Sequence, residues 1–247
     1  MGERLWECQR VRAGPLVKEL RMQRPRRAAD DTPEDRREKS FIRSRCALLR
    51  DPTDRLEIRL ALLGIDAVHY TLTFDDARLP ERYADVAAVW QAFAKRCKRH
   101  HGGAFDFVKC IEGIHGDHRW HIHFCCRSAD FNLSDVCRLW GCGHVAAEQV
   151  VLDFTAFRRL ARYFRKERRD GQRLPLDKQP LTWSASLRIP PVERWKEPSG
   201  VIPVPKDARI IQRPSIYQNP FGGFAYCSYY FPGRKKAGRC TGIPHAF

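Results

Sequence analysis

Two histidines, His121 and His123, alternate with three large apolar side chains in the run Trp120-His121-Ile122-His123-Phe124. Successive side chains of a β-strand point to opposite faces, so the two imidazoles share one face and the apolar residues share the other. Imidazole is a common metal ligand, and two imidazoles on one face can hold a single ion. The run therefore predicts a metal-binding strand that is anchored in a core by its apolar face. The alternative interpretation is a strand whose polar face simply meets solvent.

A carboxylate that could complete the ligand set is Glu112, nine residues before His121. The segment 113–119 between them has the composition of a turn, so a hairpin would bring Glu112 beside the imidazoles. Two histidines and one carboxylate leave open positions on a divalent ion, which can then polarise a phosphodiester oxygen. His115 and His118 in the same turn are alternative third ligands, or turn histidines in solvent; we favour Glu112.

A nucleophile for a phosphodiester is available in Tyr163, on a predicted amphipathic helix that Gly171 ends. Lys166 is its i, i+3 neighbour, and Arg159 and Arg162 share that helix face. A tyrosine hydroxyl can attack phosphorus and hold the product as a phosphotyrosine ester. Because a phenol has a pKa of about 10, the hydroxyl needs a metal ion or a cation such as Lys166 nearby. Without such neighbours, Tyr163 would be an ordinary tyrosine on a helix surface.

The elements that must position these residues alternate between about 68 and 168. The polar side chains of the first strand, His69, Thr71 and Thr73, would extend the face that carries the histidines. The order β-α-β-β-α-β-α with one hairpin predicts an α+β fold with a ferredoxin-like antiparallel sheet and helices on one face. The predicted strands are 68–74, 104–112, 119–127 and 145–152, and the predicted helices are 80–101, a short helix before Trp140, and the helix that carries Tyr163.

The charge balance points to a polyanionic partner. The 247 residues include 45 Lys+Arg and 29 Asp+Glu, for a net charge of +16, which favours nucleic acid or a membrane surface. No stretch approaches the roughly 20 apolar residues that span a bilayer, and the first residues lack a signal-peptide core. We therefore expect a cytoplasmic protein. The 10 cysteines contain no C-x-x-C pair, which favours reduced, buried thiols.

Two flanking segments surround the predicted domain at 65–171. Residues 1–40 are rich in arginine with poor periodicity, which predicts a mobile basic arm or one ordered only on nucleic acid, and 41–64 look helical with a break near Asp51-Pro52. Residues 172–247 form a proline-rich, aromatic and basic C-terminal extension with a glycine-rich tail. Its aromatic side chains either stack on single-stranded DNA or pack against the sheet, and we favour packing.

With these residues in place, the chain resembles the HUH endonucleases, named for a His-hydrophobic-His run such as His121-Ile122-His123. More narrowly, it is similar to rolling-circle replication initiator (Rep) proteins of small single-stranded DNA phages and plasmids. Thr71-Leu72-Thr73-Phe74 resembles their first motif, Glu112 with 120–124 their metal motif, and 161–166 their nucleophile motif. Trp140-Gly141 and Gly143-His144-Val145 resemble the segment between the last two motifs. The resemblance covers about residues 65–170.

The resemblance implies a metal-dependent enzyme that nicks and rejoins DNA at an origin, on single-stranded DNA or an origin hairpin. Tyr163 would stay linked to the 5′-phosphate, and Lys166 would orient the tyrosine or the phosphate. His121, His123 and Glu112 would hold Mg²⁺ or Mn²⁺. The chain has no P-loop, so a host helicase and polymerase would act with it in the bacterial cytoplasm. The predicted DNA contacts are Arg159, Arg162, Lys98 and Arg99, although the last two also suit the end of a helix dipole.

Three alternatives remain at this stage. A single-tyrosine HUH transposase or a relaxase would use the same chemistry, but a relaxase usually places its tyrosine before the histidine motif. A non-catalytic module that binds single-stranded DNA or RNA could share the same sheet. Such modules stack bases on aromatic residues of the sheet, whereas the aromatic residues of the histidine strand here are predicted to lie on the opposite face from the histidines.

Overall fold

The computed structural model describes residues 4–116, 119–150, 155–166 and 179–232. Within these ranges the chain forms ten strands in two antiparallel five-stranded sheets, together with five α-helices and one short 3-10 helix. The predicted α+β class with an antiparallel sheet is confirmed. Among the same residues, no helix is both long enough and apolar enough to cross a membrane.

One sheet, called the central sheet below, contains the histidine strand and has the strand order β6-β3-β5-β4-β7. Its first six elements follow the predicted order β-α-β-β-α-β, and β7 adds an edge strand beside β4. The elements are β3 (Ala67–Thr73), α3 (Tyr83–His100), β4 (Val108–Glu112), β5 (His121–Arg127), α4 (Leu133–Trp140), β6 (Val145–Gln149), α5 (Ala156–Phe164) and β7 (Leu181–Trp183), with the 3-10 helix at Asp76–Arg78.

The alternation of side chains in β3 and β5 divides the central sheet into an apolar face and a histidine face. Tyr70 pairs with Phe124 and Leu72 with Ile122, whereas Thr71 pairs with His123. The apolar residues pack under α3 and α4 in one buried cluster, as alternation with period two requires. The histidines consequently lie on the opposite face.

The histidine face is also covered, because α5 packs against it. Phe157, Ala161 and Phe164 of this helix share a buried cluster with Cys110 and Cys125 of the sheet. The prediction that helices lie on one face was therefore wrong for α5, whose own apolar stripe requires a surface on which to be buried. This covering places the face of α5 that bears Tyr163 beside the histidine strand.

The loop between α4 and β6 holds the end of β3. The indole of Trp140 donates to the carbonyl oxygen of Thr73 at 2.9 Å, and Thr73 donates its backbone N–H to His144 at 2.9 Å. Gly143 has φ +151°, and a Cβ there would lie 2.5 Å from the Thr73 carbonyl oxygen. Only glycine permits this approach, which accounts for the Trp-Gly and Gly-His-Val segments noticed in the sequence.

The second sheet, called the terminal sheet, combines strands from both flanking segments in the order β8-β1-β2-β10-β9. Leu20 of the N-terminal hairpin pairs with Tyr226, and Cys8 pairs with Trp195. Its strands are β1 (Trp6–Ala13), β2 (Leu16–Gln23), β8 (Glu193–Glu197), β9 (Arg209–Asn219) and β10 (Gly222–Tyr230), and helices α1 (Pro33–Arg45) and α2 (Pro52–Leu62) follow the first hairpin. The two flanks thus belong to one structural layer.

The expectation of a mobile basic arm over 1–40 was wrong, because its described residues include β1, β2 and the first part of α1. Several of its cations pair with carboxylates: Arg10 pairs with Glu19 at 2.7 Å, and Lys18 pairs with Asp54 and Glu57 at 2.6 Å each. The predicted break near residue 51 is confirmed, since Asp51 caps α2. The boundaries of the three predicted segments stay a prediction.

The aromatic residues of the C-terminal extension pack in the protein where the structure describes them. Tyr217 stacks on Phe224 with ring centroids 5.4 Å apart, and the Arg10 guanidinium lies 4.7 Å from the Trp195 ring centroid. These side chains thus pack within the terminal sheet, whereas the prediction was packing against the sheet of the 65–171 domain. The cysteines of the described residues are all free, and seven of them are buried; the glycine-rich tail lies outside those residues.

Candidate active site

His123 is the centre of the candidate site and is only 5% exposed. Its Nε2 lies 2.6 Å from Glu112 Oε2, and its Nδ1 lies 3.2 Å from both His69 Nε2 and Thr71 Oγ1. Burial lowers the pKa of His123, although Glu112 acts in the opposite direction. Burial also lowers the pKa of His69 to about 4, with a further contribution from His123. Both rings are therefore neutral near pH 7, the state in which imidazole binds a metal ion.

Glu112 lies at the end of β4, directly across the strand pair from His121. It is 7% exposed, and its two oxygens have different partners. Oε2 contacts His123 and accepts a hydrogen bond from the Tyr163 hydroxyl at 3.1 Å, while Oε1 accepts one from Lys166. Burial alone would raise the pKa of Glu112, but the hydrogen bonds from Lys166 and His123 outweigh it and lower the pKa to about 2. The carboxylate is therefore ionised.

Tyr163 lies on α5 with its hydroxyl directed at this pair. Its oxygen is 3.2 Å from His123 Nε2, and the two rings meet edge to face with centroids 5.2 Å apart. The Lys166 ammonium lies 4.0 Å from the Tyr163 ring centroid. Burial raises the pKa of Tyr163, and the hydrogen bond from Lys166 offsets part of this effect. The hydroxyl is thus protonated at neutral pH and is surrounded by groups that can assist its ionisation.

His121 lies on the same face, farther from the cluster. Its ring centroid is 6.4 Å from that of His123, and no group of three His, Cys, Asp or Glu side chains in the described part of the chain is close enough to hold a metal ion. The chemistry of the donors nevertheless fits a divalent cation, since two imidazoles and one ionised carboxylate share one sheet face. Glu112 and His123 already converge, and His121 is the cross-strand partner of Glu112.

A groove of about 430 Å³ opens beside the cluster between the sheet and α5. His69, Thr71 and His123 line its floor, and Tyr163 and Arg159 line its wall. The Tyr163 side chain remains 37% exposed. The nucleophile candidate is therefore accessible to a substrate strand that enters the groove, and an arginine lies next to it.

The structure brings most predicted site residues together but leaves three of the cations outside. His123, Tyr163 and Lys166 all contact Glu112, and Arg159 lines the groove beside them. Arg162 is exposed on α5 and does not line the groove, and Lys98 and Arg99 belong to α3 on the opposite face of the sheet. Of the alternative ligands, His115 lies in the turn after β4, and His118 lies outside the described residues.

Two residues of the site, His69 and Thr71, were placed on the polar face of β3 by the sequence but were not assigned a role. Both contact the Nδ1 of His123, which fixes the orientation of that ring. The signal was present in the alternation of β3, but the register between β3 and β5 was needed to show that Thr71 lies opposite His123.

Comparison with known proteins gives one match. Residues 67–168 match the family model of replication-associated protein ORF2/G2P. The matched segment contains all the contacts of the candidate site and excludes the strands of the terminal sheet. No curated protein and no solved structure gives a significant match. The match covers less than half of the chain and links the segment that holds the candidate site to replication-associated proteins.

Proposed function

We propose that this protein is a rolling-circle replication initiator that nicks and rejoins single-stranded DNA at an origin through Tyr163. The observation that carries the proposal is the contact of the Tyr163 hydroxyl with Glu112 at 3.1 Å and His123 at 3.2 Å. This contact lies beside an open groove, inside the segment that matches a replication-associated family. A tyrosine held by an ionised carboxylate and a lysine is suited to attack a phosphodiester.

In the proposed reaction the Tyr163 oxygen attacks the scissile phosphorus, and the bond from phosphorus to the 3′ oxygen breaks. The product is a 5′-phosphotyrosine ester and a free 3′-OH that a polymerase can extend. Glu112 Oε2 already accepts the hydroxyl hydrogen bond and is placed to take its proton. Lys166, which contacts both Glu112 and the Tyr163 ring, stabilises the negative charge that develops on the phenolic oxygen.

The residues that would hold Mg²⁺ or Mn²⁺ are His121, His123 and Glu112. A divalent ion bound there would supply Lewis-acid polarisation of the scissile phosphate. The chain's own contribution is orientation: His69 and Thr71 hydrogen-bond the Nδ1 of His123, so that its Nε2 faces Glu112 and the groove. Partners of this kind set the tautomer and the direction of a ligating histidine.

Rejoining is the reverse reaction, in which a 3′-OH attacks the phosphotyrosine ester and releases Tyr163. Tyr163 is the one tyrosine in the sequence of α5, so two tyrosines of this helix cannot alternate as nucleophiles. Strand separation and synthesis would fall to a host helicase and polymerase, because the sequence contains no P-loop of its own.

The test is formation of a covalent protein–DNA adduct. The full chain is incubated with Mn²⁺ and a library of single-stranded oligonucleotides that contain stem-loops, and adducts are separated on a denaturing gel. We expect an adduct with the wild type and none with Tyr163→Phe. Tyr217→Phe is a matched control. The Tyr217 hydroxyl also donates to a glutamate, Glu38, at 2.8 Å, but Tyr217 belongs to the terminal sheet and not to the candidate site.

Two outcomes would overturn the proposal. An adduct formed equally well by Tyr163→Phe would exclude this nucleophile. Binding of the library without any adduct would indicate a non-catalytic DNA-binding module. The metal assignment has its own test: His121→Ala combined with His123→Ala should abolish the adduct but leave most of the charge-driven DNA binding. Unchanged cleavage by that double variant would remove the metal site from the proposal.

A further inference from the structure

Lys109 is a buried cation on the apolar face of the central sheet, opposite the candidate active site. It lies in the middle of β4, between Phe124 of β5 and Thr182 of β7, and is 4% exposed. Its neighbour on the same face of β4 is Ile111, which belongs to the core under α3. A lysine in such surroundings is unusual, because burying a charge is costly unless the charge is paired.

Among the described residues, no carboxylate forms an ion pair with Lys109, and no hydrogen bond of its ammonium is found. The two other buried lysines of the described residues are both paired: Lys18 with Asp54 and Glu57, each at 2.6 Å, and Lys39 with Asp31. Burial lowers the pKa of Lys109 to about 8, whereas Lys18 has its pKa raised because its partners outweigh burial. The site of Lys109 thus lacks the anion that the site of Lys18 has.

A cavity of about 340 Å³ lies between α3 and the edge strand β7, and Lys109 lines it. Its volume is at the lower end of the range for small-ligand pockets. The other polar side chains of its lining are Tyr83, Gln91, Gln179 and Thr182, and its described lining contains no Asp or Glu. Amides, hydroxyls and an ammonium can all donate hydrogen bonds, so the lining suits a ligand with several acceptor oxygens and negative charge.

We propose that this cavity binds a phosphate group and that Lys109 is its counter-charge. A phosphate offers more acceptor oxygens than a carboxylate, and hydrogen bonds from a charged donor to an anion are the strong ones. The phosphate could come from a free nucleotide or from the backbone of single-stranded DNA. Only the second source rests on the proposed function; the first is independent of it.

The experiment measures thermal unfolding of the full chain with inorganic phosphate, with deoxyadenosine monophosphate, and with a short oligonucleotide that lacks terminal phosphates. At about ten times the dissociation constant, the bound ligand should raise the melting temperature by about 2–4 °C. We expect Lys109→Met to lose this shift. Lys95→Met, an exposed lysine of α3, removes the same charge and should retain it.

The three ligands distinguish a free phosphate ester from the DNA backbone as the source of the bound phosphate. A Lys109-dependent shift with phosphate or the mononucleotide identifies a free phosphate ester as the ligand, whereas one with the oligonucleotide alone identifies the DNA backbone. Equal shifts for the wild type and Lys109→Met, or no shift with any of the three, overturn the proposal. Tyr163→Phe should bind phosphate as the wild type does, so a failed adduct assay would leave this result intact.

A second measurement covers the case in which Lys109→Met does not fold. A lysine with a lowered pKa is more reactive towards an acylating reagent, because the neutral amine is the nucleophile. The wild type is labelled lightly with acetic anhydride, and modification of each lysine is read by mass spectrometry. Phosphate should protect Lys109 several-fold more than Lys95, and equal modification with and without phosphate contradicts the proposed site.

Discussion

Two buried glutamates, Glu57 and Glu112, each accept a hydrogen bond from a lysine but differ in their other partners. Glu57 accepts hydrogen bonds from Lys18 and from Arg158 of α5. Glu112 accepts them from Lys166 and from Tyr163 of the same helix. Helix α5 therefore connects two clusters, one under the terminal sheet and one on the central sheet.

What separates the clusters is the chemistry of their members. Glu57 is 2% exposed and Lys18 is 1% exposed, whereas Asp54 and Arg158 of the same cluster line another groove. The first cluster consists of ion pairs between carboxylates and cations. The second opens through Tyr163 onto a groove and includes an imidazole and a hydroxyl that can exchange protons. A buried glutamate in contact with a lysine thus belongs to an ion-pair cluster in one place and to a candidate reactive site in the other, and the following predictions test that difference.

The largest effect on stability is expected for Glu57→Gln. The substitution leaves Lys18 buried with one carboxylate instead of two, and breaking a buried ion pair costs about 3–5 kcal/mol of unfolding free energy. Urea unfolding of the variant and the wild type measures the loss. Glu81→Gln, an exposed glutamate, is the control and should change stability by less than about 0.5 kcal/mol; equal losses would contradict a structural role for the Glu57 cluster.

Glu112→Gln should have the opposite profile, with activity affected more than stability. The amide cannot accept the Tyr163 proton, so the rate of adduct formation should fall on the order of 100-fold or more. Stability should change less than in Glu57→Gln, because Lys166 keeps access to solvent. Single-turnover cleavage and urea unfolding give the two values. A stability loss as large as that of Glu57→Gln, with activity retained, would make both clusters structural.

The pH dependence of the unfolding free energy should distinguish Lys109, which has no carboxylate partner among the described residues, from the paired Lys18. The pKa of Lys109 is lowered from 10.5 to about 8. Between these two pH values the unfolded chain binds a proton at Lys109 that the native state does not. The unfolding free energy therefore rises with pH there, by at most about 3 kcal/mol. Lys18, with a raised pKa, contributes stability that is lost only at higher pH.

The comparison is urea unfolding of the wild type and Lys109→Met at about pH 7 and about pH 10. Titration of other groups contributes to both proteins, so the difference between them isolates Lys109. We expect Lys109→Met to lose the rise in this window. An identical pH dependence in the two proteins would show that the amine is solvated or paired in the native state.

The smallest effects are expected for two neighbours on α5, Arg158 and Arg159. Arg158→Met removes the contacts to Asp54 and Glu57 and should lower the unfolding free energy by about 1–2 kcal/mol with little change in DNA affinity. Arg159→Met, in the groove, should instead reduce the slope of log affinity against log salt by about 1. Fluorescence anisotropy with a single-stranded oligonucleotide measures the slope. A lower salt slope for Arg158→Met, or a loss of stability for Arg159→Met, would contradict the assignment of the two arginines to different clusters.

Local patterns were sufficient to predict the central sheet and most of the candidate site. The alternation around His121 and Thr71 established which residues share a face. The spacing of Tyr163 and Lys166 predicted that both lie on one helix face, but α5 ends at Phe164 and Lys166 contacts Glu112 from the turn after it. These features depend on residues close together in the chain, where the periods of strands and helices are visible. The register that sets His69 and Thr71 against His123 depends on strand pairing and was found only in the structure.

The terminal sheet could not be predicted because its stabilising contacts are distant in sequence. The arginine-rich start looked like an arm because the partners of Lys18, Asp54 and Glu57, lie 36 and 39 residues away. The burial of Lys109 was equally invisible, since a lysine in a strand pattern is ordinarily exposed.

The pairing of Leu20 with Tyr226 in the terminal sheet also has a consequence for how the protein is made. During synthesis, the residues of the candidate site leave the ribosome while one side of β2 still lacks its neighbour β10. Pairing between distant segments is slow, and an open strand edge invites association with other chains. A nascent chain could therefore assemble its reactive tyrosine before its N-terminal hairpin is protected, and the interval ends only when the last strand arrives.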